Sequence, residues 1–180
     1  MDKVAKDYWD NRYFTGGNSG DGSYSEQLSK KLKWLENLDI QSISDIGCGD
    51  FNFGKNLLKI YPNALYVGQD ISEIIINKNI INYPQCVFTT EIDKLPRADL
   101  VLCSDVLYHI LDDGEYQNIL NGLKSKWTKY LAITSYERGE SFQAQHMKIR
   151  RFNHKLFGEP IIREIVEEEG QLYFYLFKKI

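Results

Sequence analysis

The sequence predicts an α/β fold built on a doubly wound, largely parallel sheet, and three observations carry that prediction. An apolar run ending in Asp45-Ile46-Gly47-Cys48-Gly49 leads into a helix-like stretch, Phe53 to Ile60, and then into a second apolar run, Ala64 to Gly68. Strand-length apolar runs then alternate with helical patterns along the chain, the order expected of parallel strands joined by crossovers. Finally, Ile161–Val166 and Leu172–Phe177 flank Glu167-Glu168-Glu169-Gly170 and read as a closing antiparallel hairpin.

Composition sets the bounds. A chain of 180 residues that is 43% hydrophobic can bury one core. The formal charge is −3, from 22 basic and 25 acidic residues, a balance unsuited to coating nucleic acid. No apolar run approaches the ~20 residues of a membrane span, and no signal-peptide pattern opens the chain. Cys48, Cys86 and Cys103 lie in or beside predicted strands without metal-like spacing, so a reduced cytoplasmic protein is expected.

In order, residues 1–24 gather Tyr8, Trp9, Arg12, Tyr13 and Phe14 ahead of a glycine-rich run from Gly16 to Gly22. Disordered tails are poor in aromatics, so this segment reads as a lid hinged on glycine and carrying Trp9 and Arg12, with residues 25–180 forming the domain beneath. Ser23 and Glu26 have the spacing of a capping box, ahead of a helix with Leu28, Leu32, Leu35 and Leu38 on one face. Tyr61-Pro62-Asn63 ends the Phe53–Ile60 helix, and Asp70 follows the second strand. Ser72 caps a helix from Glu73 to Asn82, Cys86–Thr89 is a third strand, and Asp99–Cys103 a fourth. Asp113–Lys126 is the next helix and Tyr130–Thr134 the fifth strand. The stretch from Ser135 to Pro160 is polar and basic (Arg138, His146, Lys148, Arg150, Arg151, His154, Lys155), and no internal repeat is visible.

The chemistry concentrates at the ends of these strands. Glycine lets backbone approach a ligand, and the helix behind it offers free N–H groups. Asp70 stands 21 residues beyond Gly49, where a carboxylate would grip the ribose hydroxyls of an adenosine-type cofactor. A dinucleotide site would need a third glycine, but Asp50-Phe51-Asn52 follows Gly49; a P-loop would need Ser or Thr where Asn56 stands. His109 lies just past the fourth strand, and Asp105, His109 and Asp112 or Asp113 would share a face if that stretch were helical.

The stretch from Asp45 to Gly49 resembles motif I of the class I S-adenosylmethionine-dependent methyltransferases, departing from it at Phe51, where those enzymes usually carry another glycine. Ser104-Asp105-Val106-Leu107-Tyr108-His109 resembles their motif IV, and Glu91-Ile92 the acidic segment beside the adenine. The resemblance implies a Rossmann-like, doubly wound seven-stranded sheet, parallel except for one strand of the C-terminal hairpin. It implies S-adenosylmethionine as cofactor, S-adenosylhomocysteine as product, and a cofactor site formed by Trp9, Arg12, Asp45, Gly47, Cys48, Gly49, Asp70, Ile71, Glu91, Ile92, Ser104 and Asp105.

More narrowly, Tyr8-Trp9, Arg12-Tyr13, the glycine run with Ser23-Tyr24, Tyr108-His109, and His146 with Arg150 and Phe152 are similar to a bacterial subgroup found with capsule and surface-glycan biosynthesis genes, with relatives in phages. That similarity implies O-methylation of a sugar or a phosphorylated small molecule. Asn18, Ser19, Tyr24 and Arg150 would then hold the acceptor: backbone N–H groups of a glycine-rich run can form an anion-binding concavity, and arginine suits phosphate. His109, Tyr108 and His146 are the catalytic candidates, because imidazole titrates near neutrality. Competing readings are an RNA 2′-O-methyltransferase with a divalent metal at Asp105, His109 and His146, a non-catalytic cofactor-binding domain, and an NAD(P)-dependent oxidoreductase.

Overall fold

A computed structural model of the chain describes residues 3–137, 139, 143, 144 and 146–179. Arg138 and the first two residues of the N-terminal segment lie outside the described residues. The strands are β1 (Ser42–Ile46), β2 (Leu65–Gln69), β3 (Val87–Thr89), β4 (Ala98–Ser104), β5 (Trp127–Tyr136), β6 (Gln143–Ala144), β7 (Met147–Lys148), β8 (Ile162–Glu167) and β9 (Leu172–Lys178). The helices are α1 (Lys3–Phe14), α2 (Glu26–Trp34), α3 (Asn52–Ile60), α4 (Glu73–Asn82) and α5 (Asp113–Lys126).

Seven strands make one sheet in the order β3-β2-β1-β4-β5-β9-β8, while β6 and β7 form a separate small hairpin that the sequence reading did not anticipate. β1 to β5 pair in parallel, and β9 runs antiparallel to both β5 and β8. The strand order reverses between β1 and β4, which opens a crevice beyond their carboxyl ends. Central β4 is covered on both faces: Leu100 and Leu102 belong to one apolar layer, Val101 and Cys103 to the other. That is why its sequence is a continuous apolar run rather than an alternating one.

The departure at Phe51 is resolved by packing. Phe51 takes the left-handed conformation that glycine would adopt readily, with φ 64°, at the N-cap of α3. Such a backbone costs a bulky residue roughly 1–2 kcal/mol. The ring is buried among Tyr66, Tyr83 and Phe88, with centroids 4.8, 4.7 and 5.2 Å away. Burial of an aromatic side chain, about 1.5–3 kcal/mol, offsets the strain.

Two N-terminal expectations change. The N-cap of α2 is Ser25, whose hydroxyl accepts from the Gln27 N–H at 3.2 Å; Ser23 is instead spent in a 3-10 turn over Asp21–Ser23. The aromatic segment is a helix, α1, with Ala5, Trp9 and Tyr13 at four-residue spacing on one face. It lies against α4. The Ser72 hydroxyl donates to Asp10 at 2.5 Å, Lys6 lies 3.6 Å from Glu73, and Lys78 donates to the Tyr13 carbonyl at 2.7 Å. A cation at this carbonyl suits the negative end of the helix dipole.

Candidate active site

A cavity of about 430 Å³ opens at the carboxyl ends of β1, β2, β3 and β4. α1 and the glycine-rich loop roof it through Ala5, Trp9, Tyr13, Ser19 and Ser23, and α5 closes one side through Glu115, Asn118 and Ile119. The volume lies within the range of about 300–1,000 Å³ common for small-molecule sites.

The turn after β1 brings backbone to the cavity wall. Gly47 and Gly49 have φ of 70° and 52°; a methyl group on Gly47 would strike Val106, and one on Gly49 would strike Ser19. Asp70, at the end of β2, is buried and lines the cavity. Its carboxylate accepts the Gly49 N–H at 3.0 Å and the Ser72 N–H at 2.9 Å. Burial pushes its pKa up to about 6, against the pull of those two bonds. A carboxylate offers about four lone-pair sites, so acceptor capacity remains on the cavity side. Ile71 and Ile92 supply apolar wall, with Glu91 beside them. Glu91 is paired with Lys94 and is largely exposed.

At the end of β4, Asp105 is left-handed (φ 62°), a conformation aspartate tolerates better than most residues. Its carboxylate accepts the Ser104 hydroxyl at 3.0 Å and the Tyr108 hydroxyl at 3.1 Å, and pairs with the Lys31 ammonium. Lys31 is fully buried, which the sequence reading missed. Its position was legible: Lys31 follows Leu28 by three residues and precedes Leu35 by four, and all three are buried on one face of the α2 region.

His109 lies in a 3-10 turn, Leu107–His109, and lines the cavity. Its Nδ1 is 2.9 Å from the His146 carbonyl. A carbonyl only accepts, so Nδ1 carries the proton and Nε2 is left as a bare acceptor. Burial lowers the His109 pKa to about 4, which keeps the ring neutral at pH 7. The Trp9 ring meets it edge-on at 5.0 Å. His146 itself stacks on Tyr8 at 4.1 Å and does not line the cavity; burial, then Arg12, lowers its pKa.

Trp9, Ser19, Gly47, Gly49, Asp70, Ile71, Glu91, Ile92, Ser104, Asp105 and His109 thus meet at one cavity. The other candidates lie outside its lining. Asp45 is buried in β1, held by the Tyr66 hydroxyl at 2.6 Å, and burial raises its pKa to about 7. The Cys48 thiol is buried beside Gly68. Tyr108 touches the site from behind, through its hydroxyl on Asp105 and its ring 4.6 Å from that of His109. Arg12 donates to the Asn18 carbonyl at 2.6 Å, and the Asn18 side chain accepts the Gly20 N–H at 3.0 Å, so both shape the glycine loop. Tyr24 donates to Asp50 at 2.8 Å.

Arg150 does not face the cavity as an acceptor site would require. It binds Asp113, the Ile110 and Leu111 carbonyls at 2.6 and 2.9 Å, and the Tyr116 ring at 4.6 Å. Asp112 caps α5 by accepting the Glu115 N–H at 2.8 Å, so neither Asp112 nor Asp113 joins Asp105 and His109. Among the described residues no group of three His, Cys, Asp or Glu side chains is placed to hold a metal ion. No described helix is long and apolar enough to cross a membrane. Tyr13, four residues after Trp9, and the Glu115, Asn118 and Ile119 face of α5 are lining residues that sequence reasoning missed; helical spacing is the signal that could have found them.

No protein-family model and no curated protein matches the sequence. Solved structures do. The magnesium protoporphyrin IX methyltransferase of Synechocystis PCC 6803, solved with S-adenosylmethionine, superposes with a TM-score of 0.73 at 18% identity over 100% of this chain and 98% of that one. The 1,6-didemethyltoxoflavin-N1-methyltransferase of Burkholderia thailandensis, solved with its acceptor and S-adenosylhomocysteine, gives 0.72 at 12% identity over 98% and 87%. An N-methyltransferase of Bradyrhizobium japonicum with S-adenosylhomocysteine gives 0.70 at 12% over 98% and 99%. The chain has the fold of the class I S-adenosylmethionine-dependent methyltransferases.

Proposed function

We propose that the chain is an S-adenosylmethionine-dependent methyltransferase acting on a hydroxyl-bearing small molecule. One observation carries the reading: a buried carboxylate, Asp70, keeps acceptor capacity open to a cavity at the switch point of a methyltransferase fold. The residues present fit the cofactor. Asp70 would take the ribose hydroxyls, Ile71 and Ile92 would flank the adenine, and the Gly47–Gly49 backbone would lie against the remainder. The sulfonium supplies an already activated methyl group, so the protein's part is alignment and handling one proton. His109, which lines the cavity with Nε2 as an acceptor, would take the proton of the acceptor hydroxyl and pass it to water. Trp9, Tyr13 and Ser19 support treating residues 1–24 as a lid over residues 25–180, and they would keep water from the sulfonium.

A sugar-type acceptor in surface-glycan assembly is the finer reading, and it rests on the resemblance of the aromatic segment and the histidines. A phosphorylated acceptor has less support: Arg150 is engaged elsewhere, and no Lys or Arg is among the described residues lining the cavity. Three unpaired cysteines suit a reducing cytoplasm. The test is incubation with methyl-labelled S-adenosylmethionine and separated sugar and small-metabolite, cell-wall and RNA fractions. Label is expected in the first; label in RNA alone, or in none, overturns the proposal.

A further inference from the structure

We propose that Lys31 is a positioning residue for the methyl acceptor: it fixes the Asp105 carboxylate so that its remaining lone pair takes a hydrogen bond from an O–H or N–H of that molecule. The proposal rests on the methyltransferase reading. A buried ammonium is costly unless paired, and an apolar side chain would fill the same space more cheaply, so the lysine calls for an explanation beyond packing. It is fully buried, and its Nζ meets the Asp105 carboxylate and the Gly22 carbonyl at 3.2 Å, with the Phe53 ring 6.0 Å away. Asp105 has about four lone-pair sites. Lys31, Ser104 and Tyr108 fill three, while the side chain stays 15% exposed and lines the cavity. The fourth site, on the Oδ1 that takes Tyr108, is left for the acceptor, and Asp105 and His109 line the same cavity. An acceptor bound there must offer a proton, which selects a hydroxyl or amine and disfavours a bare phosphate oxygen.

Gly22 joins the same node from the lid side. A methyl group there would land on the Asp105 carboxylate and within 3.2 Å of Lys31 Nζ. Closure of the glycine-rich loop and the aim of Asp105 are thus coupled through one buried cation.

The experiment uses the full chain and, as acceptor, serial dilutions of whichever metabolite fraction the wild-type protein labels. Lys31→Met and Asp105→Asn should each raise the apparent KM for that fraction by about ten- to hundredfold, the loss expected for one hydrogen bond to a charged group. For Lys31→Met, whose side chain does not line the cavity, the Kd for S-adenosylhomocysteine, read by calorimetry, should stay within about twofold of wild type. Gly22→Ala, on a half-buried loop, should raise KM in the same direction, and Lys31→Arg should recover part of the loss. A Lys31→Met protein that melts earlier but keeps its KM overturns the proposal. If Lys31→Met fails to fold, unchanged KM in both Asp105→Asn and Gly22→Ala overturns it equally. A wild-type protein that binds cofactor analogue yet labels no fraction brings down the methyltransferase reading, and this proposal with it.

Discussion

Replacing Asp70 by Asn tests the cofactor site most directly. Asp70 accepts backbone N–H groups from Gly49 and Ser72 through different oxygens. An amide can satisfy only one of them, because its NH2 would face the other donor. It also loses the charge that would strengthen hydrogen bonds from two ribose hydroxyls. Bonds to a charged group contribute about 1.5–3 kcal/mol each against about 1 kcal/mol for neutral ones. The net loss is about 2–3 kcal/mol, or roughly 30- to 150-fold in Kd at 1.4 kcal/mol per tenfold. A pH dependence follows independently. The free carboxyl titrates at about 6, and hydroxyl donors favour its charged form. Binding therefore releases a proton below that pH, and affinity should fall by up to about tenfold for each unit below 6. Calorimetry with S-adenosylhomocysteine from pH 8 to 5 measures both effects. A Kd that is flat across that range, or an Asn variant within threefold of wild type at pH 8, refutes the ribose assignment.

Further outcomes follow from the same geometry. His109→Ala should cut turnover by about ten- to hundredfold with cofactor affinity intact; because the ring is neutral well above pH 4, the wild-type rate should show no His109 titration between pH 6.5 and 8, and a sigmoid step there counts against its role. Asp45 has a folded pKa raised to about 7 from an unfolded value near 3.9. Its stabilising contribution is thus complete below about pH 4 and lost as pH rises from there through 7, so Asp45→Asn should melt later than wild type at pH 8 and lose most of that advantage at pH 5. Arg150→Ala should lower the melting temperature by roughly 2–8 °C while leaving the affinity for S-adenosylhomocysteine unchanged; a specific loss of acceptor affinity without destabilisation would return Arg150 to the site. Deleting residues 1–22 removes Trp9, Tyr13 and Ser19 from the cavity wall. It should leave a folded domain that binds S-adenosylhomocysteine at least about tenfold more weakly, and unaltered binding would end the lid reading.

The sequence alone fixes the alternation of the seven sheet strands with α2 to α5, though neither α1 nor the β6–β7 hairpin, and it brings the glycine turn, Asp70 and His109 to one edge of the sheet. Those features are local. The Gly47-Cys48-Gly49 turn, Asp70 at a strand end and His109 past β4 follow from apolar runs, glycine and the carboxyl-end rule, each legible within a short window. Packing decided the rest. Phe51 occupies a left-handed position because Tyr66, Tyr83 and Phe88 bury its ring, and two of these lie in distant strands. Asp45 belongs to the same motif as Gly47, yet strand alternation turns it away from the cavity toward Tyr66. Arg150 was drawn to the site by its charge, but the folded chain meets that charge with Asp113 and two carbonyls. Spacing with Leu28 and Leu35 sets Lys31 on the buried face of the α2 region, but only the fold brings Asp105, 74 residues away, to pair with it. The role of a charged side chain depends on its partners, and the decisive ones here, Asp113 for Arg150 and Asp105 for Lys31, lie 37 and 74 residues away in sequence, where only the tertiary structure brings them close.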